Sequence, residues 1–85
     1  MSFEIIWDPK ALKFLDKLQK MDASRIANKV NELKEDPTRY TETLVSYDVY
    51  KLRVGDYRIF LDLDYNTKTI LVVSIRHRKD AYKKK

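Results

Sequence analysis

The chain has no cysteine among its 85 residues, and it has one glycine, two prolines and one histidine. Without cysteine it has no disulfide bonds, no cysteine-ligated zinc site and no thiol nucleophile. The single histidine, His77, excludes catalysis by a pair of histidines, and it cannot form a metal site unless several carboxylates join it. The candidate acids and bases are therefore unusual, and we expect no metal and no cofactor.

Long hydrophobic runs and a leader-like start are also absent. No segment approaches the ~20 apolar residues of a transmembrane helix, and the opening MSFEIIWDP lacks the basic start, apolar stretch and cleavage site of a secretory signal. We therefore expect a cytoplasmic protein. We also expect one domain over residues 1–85, with residues 83–85 as a flexible tail. Because the chain is too short for an enclosed cofactor cavity, function should lie on a surface or in a shallow cleft.

Positive charge is concentrated at the carboxyl end of the sequence. The last ten residues, RHRKDAYKKK, contain six Lys or Arg and one Asp, so their net charge of +5 equals that of the whole chain. Twelve basic and twelve acidic side chains precede Arg76. Because the cationic segment directly follows the strand-like run ILVVSI, the pattern favours a sheet that presents cations to a polyanion. A nucleic acid is the first partner to consider.

The amino-terminal half predicts one strand and two helices. Residues 2–7 alternate and are rich in Phe, Ile and Trp, which is typical of a short strand. Asp8-Pro9 combines a cap residue with proline at the first helical position, and the amphipathic helix that follows should end near Lys20. Asp22 is expected to cap a second helix, which Asp36-Pro37 stops.

The second half predicts three strands after a polar link from Thr38 to Glu42. The strands are Val49 to Val54, Tyr57 to Asp64 and Thr69 to Arg78. Their separators, Gly55-Asp56 and the sequence YNTK, are suited to hairpin turns. The predicted order is βααβββ, an α+β fold in which a two-helix hairpin packs on one face of a mainly antiparallel, four-stranded twisted sheet.

The alternation of these three strands separates an apolar face from a basic one. The apolar set, expected under the helices, is Tyr50, Leu52, Val54, Ile59, Leu61, Leu63, Leu71, Val73 and Ile75. The opposite set includes five cations, Lys51, Arg53, Arg58, Arg76 and Arg78. Like charges opposite one another destabilise a sheet, so we expect an anionic ligand to compensate them. For any single one of these cations, an ordinary solvated surface residue is the simpler interpretation. His77 falls on the helix side, where we expect a structural histidine.

A basic face of this kind suits metal-free cleavage of a phosphodiester by the neighbouring 2′-hydroxyl. The reaction needs a base for the hydroxyl proton, cations for the charge on phosphorus and an acid for the leaving oxygen. Crowding by positive neighbours disfavours the charged form of a lysine, which makes Lys51 a candidate base, while the arginines would clamp the phosphate. Tyr82 would orient the phosphate or stack on a base, or else seal the edge of the core.

The segments YDVYKLRVGDYRIFLDLD and ILVVSIRHRKDAY strongly resemble the RelE toxins of the RelE/ParE superfamily. The similarity spans nearly the whole chain, and KLRVGDYRI and RHRKDAY are its specific parts. The resemblance implies a toxin of a type II toxin-antitoxin pair. It further implies a ribosome-dependent endoribonuclease that cleaves messenger RNA in the A site by metal-free 2′-hydroxyl attack.

The resemblance also implies a set of catalytic residues. Lys51 matches the lysine that precedes Leu-Arg in the family's catalytic strand, and Arg58 matches the arginine that binds the phosphate. Arg78 matches the second catalytic arginine, and Tyr82 matches the tyrosine that orients the substrate. Val49 stands where well-studied members carry a second lysine. Three further cations could replace that lysine and bind RNA, namely Arg53, Arg76 and Lys79.

Partners and alternatives follow from the same resemblance. We expect a RelB-like antitoxin whose helices wrap the toxin, in a toxin-antitoxin heterotetramer, with the ribosome and messenger RNA as targets and no membrane association. ParE toxins share the fold and act on DNA gyrase, so the fold alone does not decide the activity. A noncatalytic RNA-binding module is a third alternative, because it requires only charge and stacking.

Overall fold

The computed structural model describes residues 2–43 and 49–81. Its elements are β1 (Glu4–Trp7), α1 (Pro9–Lys17), α2 (Lys20–Asn31), a 3-10 turn (Glu32–Lys34), β2 (Thr41–Thr43), β3 (Val49–Val54), β4 (Tyr57–Asp64), β5 (Thr69–His77) and α3 (Arg78–Ala81). The predicted tail at residues 83–85 lies outside this range. None of the helices in the described ranges is long and apolar enough to cross a membrane.

The five strands form one sheet in the order β1-β5-β4-β3-β2. β1 runs parallel to β5, and every other pairing is antiparallel. The predicted α+β fold, with two helices against a mainly antiparallel sheet, is confirmed, although the strand count of four is wrong. The additional strand is β2, whose Thr41 lies opposite Leu52 of β3. Its sequence, Thr-Glu-Thr, is too short and polar to show the alternation that identifies a strand.

The first helix begins as predicted, and the second does not. The Asp8 carboxylate accepts a hydrogen bond from the Lys10 backbone N–H at 2.9 Å, and Pro9 is the first helical residue. Helix α1 ends at Lys17, earlier than expected. Helix α2 begins two residues before Asp22, which lies in its first turn instead of capping it.

The core lies between the helical layer and one face of the sheet. Its fully buried large side chains are Ile26, Val30, Leu33, Leu52, Ile59, Leu61, Ile70 and Val72. Full burial of each such side chain stabilises the fold by roughly 1.5–3 kcal/mol relative to leaving it exposed. This layer makes the opposite face of the sheet available for function.

A β-bulge changes which side chains of β5 enter the core. Phe60 lies opposite Ser74, whereas Leu61 lies opposite Val72, so Val73 is an extra residue on β5. The buried side chains of β5 are consequently Ile70, Val72 and Ile75. The predicted set of Leu71, Val73 and Ile75 is wrong at two positions, because strict alternation cannot register an inserted residue.

The bulge is tested by the matched variants Val72→Thr and Val73→Thr. Both keep the branched shape and replace a methyl group with a hydroxyl. At fully buried Val72 the hydroxyl must leave water, so we expect a loss of roughly 1–3 kcal/mol in the free energy of unfolding, measured with urea. At the partly exposed Val73 the loss should stay below about 0.5 kcal/mol. A larger loss for the Val73 variant would contradict the bulged register.

Candidate nucleic-acid interface

Three arginines from three neighbouring strands form one row across the open face of the sheet. Arg53 of β3 lies opposite Arg58 of β4, which in turn lies opposite Arg76 of β5. Neighbouring strands are about 4.7–4.9 Å apart, so the register concentrates three positive charges in a narrow band. This is the convergence that the alternation pattern predicts.

Arg58 is buried within this row, with 3% of its surface exposed. Its Nη1 donates hydrogen bonds to the backbone carbonyls of Gly55 and Tyr57, both at 2.9 Å. Taking a guanidinium out of water costs several kcal/mol, and hydrogen bonds to carbonyl dipoles offset part of this cost. The guanidinium is thus held in place by the turn between β3 and β4. Gly55 in that turn has a φ of +56°, a conformation that glycine adopts without strain.

The same turn also holds the beginning of α3. The Arg78 backbone N–H donates to the Asp56 carbonyl at 2.6 Å. The Arg78 Nε lies 3.9 Å from the Asp56 carboxylate, and both side chains are more than half exposed. An exposed ion pair of this kind contributes about 0–1 kcal/mol, so the backbone bond is the firmer link. Two neighbouring carbonyls of one turn therefore position Arg58 and Arg78.

These cations line a common cleft. Arg53, Arg58, Arg78 and Lys79 surround a cleft of about 380 Å³. Two larger clefts lie elsewhere, one of about 510 Å³ between α2 and β1 and one of about 550 Å³ beside the β4–β5 turn. Neither larger cleft is lined by a cluster of cations. A fourth cleft, of about 280 Å³, includes Arg25, Lys29 and Arg53 but also the carboxylate of Glu32. Charge, and not size, therefore makes the cleft of Arg53, Arg58, Arg78 and Lys79 the candidate site for a polyanion.

Lys51 lies on the same open face but has different neighbours from those expected. Its cross-strand partners are Glu42 of β2 and Phe60 of β4. The register places Arg58 opposite Arg53, so Lys51 faces Phe60 and not an arginine. Lys51 is half-buried and two residues from Arg53, so it remains close to the arginine row.

The remaining predicted site residues occupy different positions. Arg76 is exposed in the arginine row, and Lys79 is the second residue of α3. Tyr82 lies outside the described residues. Sequence reasoning recognised Gly55-Asp56 as a turn but missed its carbonyl contacts with Arg58 and Arg78. Backbone carbonyls leave no signature in side-chain patterns, so no sequence signal could have identified these contacts.

The chain has relatives among known families and solved structures. A sequence profile of the family described as ParE toxin of type II toxin-antitoxin system, parDE, matches residues 5–82. No curated protein matches the chain.

Solved structures of toxin-antitoxin complexes share the fold. The RelBE2 toxin-antitoxin complex from Mycobacterium tuberculosis matches with a TM-score of 0.81 and 20% identity, over 92% of this chain and 100% of the matched chain. The intact Escherichia coli RelBE complex matches with a TM-score of 0.80 and 23% identity, over 89% of this chain and 96% of the matched chain. The archaeal RelE-RelB complex from Pyrococcus horikoshii OT3 matches with a TM-score of 0.79 and 21% identity, over 92% of this chain and 97% of the matched chain.

The fold and the profile together define a toxin of a type II toxin-antitoxin system. The chain belongs to the ParE toxin family, within the RelE/ParE superfamily. At these identities the solved structures establish the fold, and the activity must be argued from the site.

The cleft is tested by the salt dependence of binding to a single-stranded RNA oligonucleotide. The logarithm of the binding constant should fall linearly with the logarithm of salt concentration, by about 0.7 per neutralised phosphate. Arg53→Gln should make this slope shallower by about 0.7, because Arg53 lines the cleft. Lys13→Gln, on the exposed surface of α1, is the matched control and should leave the slope unchanged. Equal slopes for the Arg53 variant and the original chain would exclude the cleft as the phosphate site.

Proposed function

We propose that the chain is a ribosome-dependent, metal-free endoribonuclease that cleaves messenger RNA. The observation that carries this proposal is the juxtaposition of Arg58 and Arg78 in one cleft, with Arg53 and Lys79 beside them. Guanidinium groups present planar, paired donors that match the oxygens of a phosphate. A phosphodiester in the cleft would therefore meet fixed positive charge from several directions.

The proposed reaction is an attack of the 2′-oxygen on the adjacent phosphorus. A new O2′–P bond forms, the P–O5′ bond breaks, and the products are a 2′,3′-cyclic phosphate and a 5′-hydroxyl. The attacking hydroxyl loses a proton and the leaving oxygen gains one, so no metal or co-reactant is required. Arg58 and Arg78 would stabilise the additional charge on the phosphoryl oxygens in the transition state.

Preorganisation supports a catalytic role for Arg58 in particular. Its burial and its two carbonyl bonds fix the guanidinium before substrate arrives. A fixed charge stabilises a transition state without the reorganisation that an exposed, mobile side chain would undergo. Arg78 is more exposed, and its backbone bond to Asp56 and its place at the start of α3 orient it.

Lys51 is the candidate general base, with Tyr82 as the residue that would orient the substrate. Lys51 shares the open face with Arg53 and is half-buried beside Phe60, which reduces its contact with water. Glu42 lies opposite Lys51 on β2. Arg76 and Lys79 would bind the RNA backbone on either side of the scissile phosphate.

The ribosome would supply what the cleft lacks. The cationic lining binds phosphate and cannot by itself distinguish one base from another. A message already held in the A site would reach the cleft with its 2′-hydroxyl and phosphorus aligned, and such alignment accounts for a large part of the acceleration in this kind of reaction. The cytoplasm is the compartment that this activity requires.

The proposed partner is a RelB-like antitoxin. The structures matched from Escherichia coli, Mycobacterium tuberculosis and Pyrococcus horikoshii OT3 are toxin-antitoxin complexes. An antitoxin with acidic, helical segments would neutralise the cleft and exclude RNA from it. We propose a heterotetramer of two toxins and two antitoxins.

Inhibition of DNA gyrase is the second candidate function. The matching family profile carries the ParE description, which favours this alternative. A cationic cleft attracts the phosphates of DNA as it does those of RNA. The positioning of Arg58 and Arg78 within one cleft favours phosphoryl chemistry, which inhibition of gyrase would not need.

Cleavage is tested by Arg78→Gln in a reconstituted translation system. The original chain should produce cuts in ribosome-bound message that follow the codon phase. Arg78→Gln should reduce the cleavage rate by about 10²–10³, the typical effect of removing one donor that stabilises an oxyanion. Because Arg78 is exposed, the variant should fold, which circular dichroism checks. Arg58→Gln should show an equal or larger loss.

The control and the opposing results separate the functions. Lys13→Gln removes a charge from the helical side and should cleave at the original rate. Intact message together with inhibited gyrase supercoiling would instead establish the gyrase alternative. RNA binding without either effect would establish a noncatalytic binding module.

A further inference from the structure

His77 ends β5 immediately before the two cleft residues of α3. Its ring lies edge-on to the Tyr57 ring, with centroids 5.4 Å apart and an interplanar angle of 84°. The pairing of Tyr57 with His77 places both side chains on the helix side of the sheet. His77 is half-buried there, as the alternation predicts.

The imidazole accepts a hydrogen bond from the beginning of α3. The Lys79 backbone N–H donates to His77 Nδ1 at 3.3 Å. His77 directly precedes the first helical residue, and Lys79 is the second residue of the helix. In a helix N-cap, the side chain of the residue before the helix accepts a hydrogen bond from the N–H of the second or third helical residue. His77 and Lys79 have this arrangement. A helix of four residues depends strongly on such a bond, since few bonds of its own hold it together.

We propose that His77 is a positioning residue, whose neutral imidazole caps α3 and thereby holds Arg78 and Lys79 in the cleft. This role rests on the proposed function, because it treats the cleft as the nuclease site. Protonation of Nδ1 would remove the acceptor. It would also add positive charge at the positive end of the helix, beside two cations. The cap therefore requires the neutral imidazole.

The groups packed around the His77 ring belong to Tyr57 and to its partners on α1 and α2. The Tyr57 hydroxyl donates to Asp22 Oδ2 of α2 at 3.4 Å, and Phe14 of α1 packs edge-on against Tyr57. Burial, with a further contribution from Asp22, raises the pKa of Tyr57 above its ordinary value of 10.0. Tyr57 thus stays neutral across the physiological range.

The charged groups near the cap are of both signs. Arg76, Arg78 and Lys79 are its cationic neighbours along the chain, and Asp56 lies beside Arg78. Asp22 is behind Tyr57 and is separated from the imidazole by that ring. None of these groups supplies a second acceptor to the Lys79 N–H among the hydrogen bonds of the described residues.

Two variants separate capping from ring packing. His77→Asn keeps a side-chain acceptor of the kind preferred at N-caps and removes the ring. His77→Phe keeps an aromatic ring against Tyr57 and removes the acceptor. The readout is hydrogen exchange of the Lys79 amide, measured by NMR, and it does not depend on nuclease activity.

The expected pattern follows from the loss of one cap. At pH 7.5, exchange of the Lys79 amide relative to its intrinsic rate should be about fivefold faster in His77→Phe, the factor that corresponds to a cap of about 1 kcal/mol. His77→Asn should match the original chain at pH 7.5. In acid solution, where Nδ1 is protonated, the original chain should approach the Phe variant, while the Asn variant should keep its protection.

Cleavage of ribosome-bound message gives the second readout. His77→Asn should cleave at close to the original rate, and His77→Phe several-fold more slowly. If His77→Phe keeps its protection and His77→Asn loses it, the ring and not the acceptor matters, and the proposal is overturned. If the original chain cuts no message, the nuclease proposal fails, while the exchange measurements still decide the role of His77.

Discussion

Two carbonyl groups of the β3–β4 turn hold the functional end of this molecule together. The Gly55 carbonyl accepts from the Arg58 side chain, and the Asp56 carbonyl accepts from the Arg78 backbone. The first bond ties a buried cation to the hairpin, and the second ties the end of β5 to the same hairpin. Since the two arginines are twenty residues apart in the chain, their presence in one cleft depends on this turn.

The cleft lowers the stability of the fold. Three arginines in one row repel one another, and a buried guanidinium gives up its hydration. The apolar layer on the other face of the sheet offsets this cost, with eight large side chains of which less than 2% is exposed. A basic row opposite an apolar core is the arrangement expected where function, and not stability, selects the charges.

The sequence predicted the molecule well wherever local periodicity decides the structure. Strands β3 and β4 have the predicted limits, because alternation and the Gly-Asp turn define both ends. The prediction failed where the neighbouring strand decides whether a segment forms a strand or which face a side chain occupies. Strand β2 has three residues and owes its existence to β3, and Val73 departs from alternation because β4 cannot accommodate it in register. The arginine row was predictable from alternation, whereas the burial of Arg58 and the cap on α3 depend on backbone groups from other segments.

The role of the cleft as the phosphate site is tested most directly by NMR mapping with an RNA oligonucleotide that carries a 2′-O-methyl group at every position. This group prevents attack on phosphorus, so the bound state persists during the measurement. This role predicts shifts concentrated on the side-chain signals of Arg53, Arg58 and Arg78 and on the Lys79 amide. Shifts confined to the exposed surfaces of α1 and α2, with the cleft signals unmoved, would contradict it.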